Sequence, residues 1–175
     1  MQKVHFIGIG GTGISAIALL LLEKGWQVSG TDKSASRYFD AVTAKGARTL
    51  LGHSPELALS ADVIVRSSAV HDDDPEVLAA RAKGIPVLKR NDFLPELTAG
   101  YQTLAVAGSH GKTTCTAMLI TMLRGLGADP TFILGAQVRP LNTNAHAGTG
   151  SLFVIEADEY DHMFLGLSPT ISLLT

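Results

Sequence analysis

The chain has 175 residues, enough for one full α/β domain and part of another, or for one large domain. With 46% hydrophobic and 17% charged residues and a net charge of -2, it lacks the basic surplus that a nucleic-acid backbone demands. Its one cysteine, Cys115, excludes an intramolecular disulfide and a Cys-rich zinc site.

Met1-Gln2-Lys3 leads straight into a predicted strand, with no signal-peptide pattern. The apolar run Ala16 to Leu22 is stopped by Glu23-Lys24-Gly25 and is too short to span a bilayer. The expectation is a cytoplasmic protein with no membrane or nucleic-acid partner. The oligomeric state is left open.

Val4 to Ile7 reads as a strand that enters Gly8-Ile9-Gly10-Gly11-Thr12-Gly13, a G-x-G-x-x-G loop opening a helix over 14–24. In such loops the first glycine permits the turn, the second (Gly10) a close backbone approach, and Gly13 close helix–sheet packing. The second strand, 26–30, leads to Asp32, where an acidic side chain can reach a ribose hydroxyl. Alone, this is a nicotinamide-cofactor fingerprint. It equally describes a nucleotide-sugar, which also places a diphosphate on a helix N-terminus. Trp26, the only tryptophan, is expected beside this loop.

A helix over 37–45, a short strand near 47–50 and a strand over 62–66 follow. The apolar centre of that last strand suits burial on both faces. Ser67-Ser68-Ala69 and His71 fall at its C-terminal end, where ligands collect in open α/β sheets. Asp72-Asp73-Asp74 reads as a solvated helix start, with Asp74 as N-cap of a helix over 75–83, and 86–88 as the next strand. Strands alternating with glycine-terminated helices imply a parallel sheet. A connecting helix over 93–98 and a hinge at Gly100 separate this part from the next, giving a boundary at residue 98.

The pattern restarts with a strand over 103–107 and Gly108-Ser109-His110-Gly111-Lys112-Thr113-Thr114, followed by a helix over 112–124. Backbone N–H groups of such a loop cradle phosphate, the lysine adds a mobile charge, and the first hydroxyl can ligate Mg²⁺. Val106 stands where the strict pattern has its first glycine, so the loop is a shortened form. It is read as an ATP cradle, in which His110 meets the γ-phosphate or an acceptor carboxylate. Cys115 is expected to be a small buried filler.

A strand over 131–134, a loop over 142–150 and a strand over 152–155 come next. The last of these runs into Glu156-Ala157-Asp158-Glu159-Tyr160-Asp161. Carboxylates at the end of a buried strand need compensating cations, and a strand beside a phosphate loop is where the Mg²⁺-holding acid stands. Glu156 is the expected ligand, with Thr113 the other. Glu159 and Asp161 divide between ligand and solvated loop. His5, His53, His146 and His162 are read as structural or solvated. The chain closes on an apolar strand over 170–174, and the second part is expected to be an excised piece of a longer domain.

Taken together, His5 to Gly13, Ser67-Ser68-Ala69, Asp74-Pro75-Glu76, Gly108 to Thr114 and Glu156 to Glu159 resemble the Mur ligases of bacterial cell-wall synthesis. The resemblance implies an α/β protein: a Rossmann-like parallel-sheet domain binding UDP-N-acetylmuramate (1–98), then an incomplete P-loop α/β central domain (99–175). It implies ligation of L-alanine to the muramoyl carboxylate with ATP and Mg²⁺, through an acyl phosphate. Gly10, Gly11, Thr12 and Gly13 would hold the diphosphate, with Asp32, Ser67, Ser68, Ala69 and His71 nearby. Gly108, Ser109, His110, Gly111, Lys112, Thr113 and Thr114 would hold ATP, with Lys112, His110 and Glu156 as catalytic residues. L-alanine would bind in a C-terminal domain outside this sequence, so the fragment is expected to be inactive alone. Tyr160 replaces a usual serine and Asp74 a usual asparagine. The acidic run also resembles the tripeptide-recycling branch of the family. An NAD-dependent oxidoreductase and a non-catalytic nucleotide-binding regulator are the rival readings.

Overall fold

The computed structural model describes residues 2–139, 141–157 and 164–175. The chain folds as two compact units, Met1–Arg90 and Asn91–Thr175. The division falls at the first residue of the connecting helix, where the sequence suggests a boundary at its end, after residue 98.

The first unit runs β1 (Lys3–Ile7), α1 (Thr12–Glu23), β2 (Gln27–Asp32), α2 (Arg37–Ala44), β3 (Arg48–Leu51), α3 (Pro55–Ala58), β4 (Val63–Arg66), α4 (Pro75–Ala82) and β5 (Val87–Lys89). Its sheet is ordered β3-β2-β1-β4-β5, every pair parallel. The chain winds outward in one direction from β1 and then in the other, so a crevice opens at the C-terminal ends of β1 and β4. α1 is apolar nearly all round and buries Ile14, Ala16, Ile17, Leu20 and Leu21, as a helix enclosed on most sides must. A second core layer joins Ile7 and Ile64 to Ala58, Val77 and Ala80 of α3 and α4. The four-residue α3 was not anticipated. Ser54 caps it by accepting from the Leu57 N–H, with Pro55 in its first turn.

Trp26 lies at the N-terminal end of β2, beside the start of β1 in the parallel register Lys3↔Gln27. The glycine loop leaves the other end of β1. The expectation that Trp26 adjoins that loop is therefore wrong: parallel pairing sets them at opposite ends of the strands.

α5 (Arg90–Thr98) leads into the second unit: β6 (Gln102–Ala107), α6 (Lys112–Gly125), β7 (Thr131–Val138), β8 (Thr143–His146), β9 (Leu152–Glu156) and β10 (Ile171–Leu174). The sheet order is β10-β6-β9-β7-β8, parallel except for β7 with β8. Ile120 of α6 packs with Phe132, Leu134 and Val154 at its core. β8 occupies sequence read as loop. Its polar run Thr143-Asn144-Ala145-His146 shows no hydrophobic alternation, yet Asn144 and Ala145 are buried against β7. The turn into β8 uses Asn142 at φ 52. Cys115 is only half-buried and does not fill a core site as expected. No helix among the described residues is long and apolar enough to cross a membrane.

Candidate functional site

The first glycine loop is held by its own neighbours. The Gly8 and Ile9 amides donate to Thr31 O at 2.8 and 3.0 Å, and the Gly11 amide to Gly8 O at 3.1 Å. The Gly10 amide donates to Asp32 Oδ2 at 2.8 Å, while Ser34 donates its amide to Oδ1 at 3.2 Å. Asp32 thus holds the loop with one oxygen and its own following turn with the other. The Ser36 hydroxyl donates to Gly10 O at 2.9 Å and caps α2. A Cβ at Gly10 would stand 3.0 Å from Asp32 Oδ2 and from Ser36 Oγ, so a side chain there would press on both of the groups that hold the loop. Gly8 sits at φ +84 with Ser67 Cβ 3.0 Å from where its Cβ would be. α1 begins at Gly11 with no side-chain cap, which leaves first-turn N–H groups and the positive helix end for an anion.

A cavity of about 330 Å³ opens here, lined by Gly8, Gly10, Gly11, Asp32, Ser67 and Ala69 from the sequence reading. It also takes in Thr31, Lys33, Ser34, Ser36, Gly52, His53, Val70 and Asp74, none of which was assigned to this site. Thr12, Gly13, Ser68 and His71 are not among its lining residues. His71 is exposed. A Cβ at Gly13 would run into the Arg90 guanidinium, so Gly13 accommodates that side chain. Asp72 is not simply solvated. It pairs with Arg66 at 2.8 Å and Arg81 at 2.7 Å. The Arg81 hydrogen bond, with the charge of Arg66 beside it, holds its carboxyl below the usual range.

Beneath the cavity lies a buried polar network. Glu76 and His5 are both 0% exposed and 3.0 Å apart, Nε2 to Oε2. The Thr31 hydroxyl donates to the same oxygen at 2.9 Å, and the Ser54 amide donates to Oε1 at 2.6 Å. His5 Nδ1 meets Ser29 Oγ at 2.9 Å. Burial pushes the Glu76 carboxyl up, but the bonds from His5, Ser54 and Thr31 outweigh it and hold the group below its ordinary value. His5 is structural, as read. Glu76 had no assigned role, because nothing in Asp-Pro-Glu tells that the third residue turns inward.

The second loop joins β6 to α6. Gly111 is the N-cap, left-handed at φ 78, and it too offers no side-chain cap. Lys112 folds back over the loop and donates from Nζ to Gly108 O at 2.8 Å. The Thr113 hydroxyl donates to Glu156 Oε1 at 2.9 Å, and the Gly135 amide donates to Oε2 at 2.8 Å. The parallel register Val106↔Glu156 produces this, setting the end of β9 beside the strand that feeds the loop. Thr175, delivered by β10, donates from its hydroxyl to His110 O at 2.6 Å. The His110 residue is exposed, as are Ser109 and Thr114. Asp158, Glu159, Tyr160, Asp161 and His162 lie outside the described residues. Among the described residues no three His, Cys, Asp or Glu side chains gather as a metal cluster.

A family model described as Mur ligase family, catalytic domain, matches residues 3–102. The chain belongs to the Mur ligase family. The UDP-N-acetylmuramate–L-alanine ligase of Frankia casuarinae is 50% identical, covering 99% of this chain and 36% of that protein. The ligase of the same name from a Geobacter species is 46% identical over 100% of this chain and 38% of its own length. Among solved structures, the Neisseria meningitides UDP-N-acetylmuramate:L-alanyl-gamma-D-glutamyl-meso-diaminopimelate ligase aligns with a TM-score of 0.90 at 29% identity, covering 100% of this chain and 61% of that one. The Thermotoga maritima UDP-N-acetylmuramate-alanine ligase aligns at 0.84 and 30% identity, covering 99% and 41%. This Mur ligase chain spans a little over a third of the length of those curated relatives.

Proposed function

We propose that the chain is the opening part of a ligase that joins L-alanine to the carboxylate of UDP-N-acetylmuramate, releasing ADP and phosphate. Residues 1–98 are the UDP-N-acetylmuramate domain and 99–175 the first part of the ATP domain. The observation that carries this reading is the Thr113–Glu156 pair, 2.9 Å apart beside a phosphate loop, in a chain whose other unit has a second anion-binding helix start. The 50% identity to a ligase of that name supports the choice of reaction.

The Thr113 hydroxyl and Glu156 carboxylate are hard oxygen donors, and Mg²⁺ takes one or two carboxylates beside substrate phosphates. They would hold that ion, which supplies charge neutralisation on ATP when bound. Lys112 would leave Gly108 O for the phosphate oxygens, and the N–H groups opening α6 would face the same charge. In the reaction, a muramoyl carboxylate oxygen attacks the γ-phosphorus and ADP departs, leaving an acyl phosphate. The alanine amine then attacks the acyl carbon, phosphate leaves, and the amine gives up a proton. Exposed His110 belongs to the loop that would hold the γ-phosphate. In the first unit the α1 amides would carry the diphosphate of the nucleotide-sugar, with Ser67 and Ala69 on the cavity wall. L-alanine would be held by the remaining length found in the relatives, so this chain alone binds UDP-N-acetylmuramate without ligating.

The 0.90 TM-score to the tripeptide-adding Neisseria enzyme favours a second reading, in which the acceptor amine belongs to a preformed peptide. Since the remaining length carries the acceptor site, parallel fusions to the remaining length of the Frankia ligase and of the Neisseria ligase test both. The expected result is alanine-dependent phosphate release that Lys112→Ala lowers about 100-fold or more. Release from the Neisseria fusion alone, driven by tripeptide, favours the second reading. A folded fusion responding to neither overturns the assignment.

A further inference from the structure

Glu76 is fully buried, yet belongs to neither glycine loop. Desolvating a carboxylate is costly unless donors surround it, and here three do: His5 on β1, Thr31 on β2 and the Ser54 amide. The first two would suffice to tie α4 beneath the sheet. The third reaches a loop on the cavity. Residues 52–54 are pinned at two points, by the Gly52 amide on Asp32 O at 2.8 Å and by the Ser54 amide on Glu76 Oε1 at 2.6 Å. Between these pins sits His53, its side chain 39% exposed, with Nδ1 3.5 Å from Asp74 Oδ2 and 3.8 Å from Glu76 Oε1. Gly52, His53 and Asp74 all line the cavity. They lie beyond the end of β2, the side on which a nucleoside lies in this sheet order once its diphosphate is on the loop after β1.

We propose that Glu76 is a positioning residue for the nucleotide-sugar substrate. Its carboxylate fixes residues 52–54 and thereby the place of His53 on the nucleoside side of the cavity. The proposal rests on reading this cavity as a UDP-sugar site. It assigns to a buried acid an effect on affinity that passes through a backbone amide and a neighbouring imidazole, without contact with the ligand.

Glu76→Gln keeps the size and removes the charge. One amide oxygen cannot accept from Ser54, Thr31 and His5 together, because the amide nitrogen is itself a donor. Calorimetry with UDP-N-acetylmuramate and with UDP alone is expected to show affinity for both falling roughly tenfold, the nucleoside being what they share. In a His53→Ala background the same substitution should cost much less, because both changes act on one wall. A folded E76Q chain with unchanged affinity overturns the proposal, as does a loss that adds in full to that of His53→Ala. Should E76Q fail to fold, the wild-type Ser54 amide proton decides by NMR. It is expected far downfield and to move on saturation with UDP, and an unmoved resonance overturns the proposal. A wild-type chain that binds neither ligand overturns the reading of the cavity itself, a result distinct from wild-type binding beside an equally tight E76Q.

Discussion

Asp32 stands at the end of β2, where a dinucleotide-binding protein uses an acidic side chain to accept a ribose hydroxyl. Here both its oxygens accept backbone N–H groups, from Gly10 and Ser34, and the Ser36 hydroxyl closes over Gly10 from the same side. The sequence contained the right residue at the right distance from the loop. What it concealed was the partner, because Ser34 and Ser36 carry no signal until α2 starts at Arg37 and turns Ser36 back on the loop. Glu76 was hidden more deeply, since its burial depends on β1, β2 and the residue-54 turn arriving together. Its depressed carboxyl makes a prediction. A group whose folded pKa lies below its ordinary 4.5 contributes stability in full above that value, and the contribution is lost as pH falls through the folded value. Each unit of depression is worth about 1.4 kcal/mol. The groups facing it are His5, Thr31, the Ser54 amide and His53, which in turn faces Asp74. Urea unfolding between pH 7 and pH 3 should therefore show wild type losing more stability on acidification than E76Q. Parallel curves would remove Glu76 from the acid response.

At the scale of elements, helix ends were readable because glycine marks them chemically. α1, α2, α4 and α6 all finish with one pattern, in which the glycine amide returns to a carbonyl three residues back and the next amide to one five back. At α4 these are Gly84 to Arg81 and Ile85 to Ala80, both at 3.0 Å. Gly84 has φ +72 and open space where a Cβ would be. Gly84→Ala should thus cost only the left-handed strain, about 1 kcal/mol by urea denaturation, with ligand affinity unchanged. A loss near zero would mean the helix end rearranges freely. The pairing of Thr113 with Glu156 was foreseeable as chemistry, a hydroxyl and an acid beside a phosphate loop. Its geometry came from the β6–β9 register, which no local pattern specifies. β8 escaped for a related reason: its burial is imposed by β7, and its own residues read as loop.

At the scale of the molecule, two units repeat one device, a strand delivering a glycine loop to an uncapped helix start. The alternation of strands and glycine-ended helices implies the parallel sheet of the first unit, whereas the second sheet pairs β7 with β8 antiparallel. Strand order could not be read, because non-consecutive neighbours such as β1 with β4, or β10 with β6, are chosen by long-range packing. The duplication explains why the first loop read alone suggests a nicotinamide cofactor and the pair together suggests a ligase. Calorimetric titration of this chain with UDP-N-acetylmuramate, beside NADH and NADPH, tests that central claim most directly. Saturable 1:1 binding of the UDP-sugar, competed by UDP, is expected, with no heat from either nicotinamide cofactor. Binding of NADH or NADPH without binding of the UDP-sugar would contradict it.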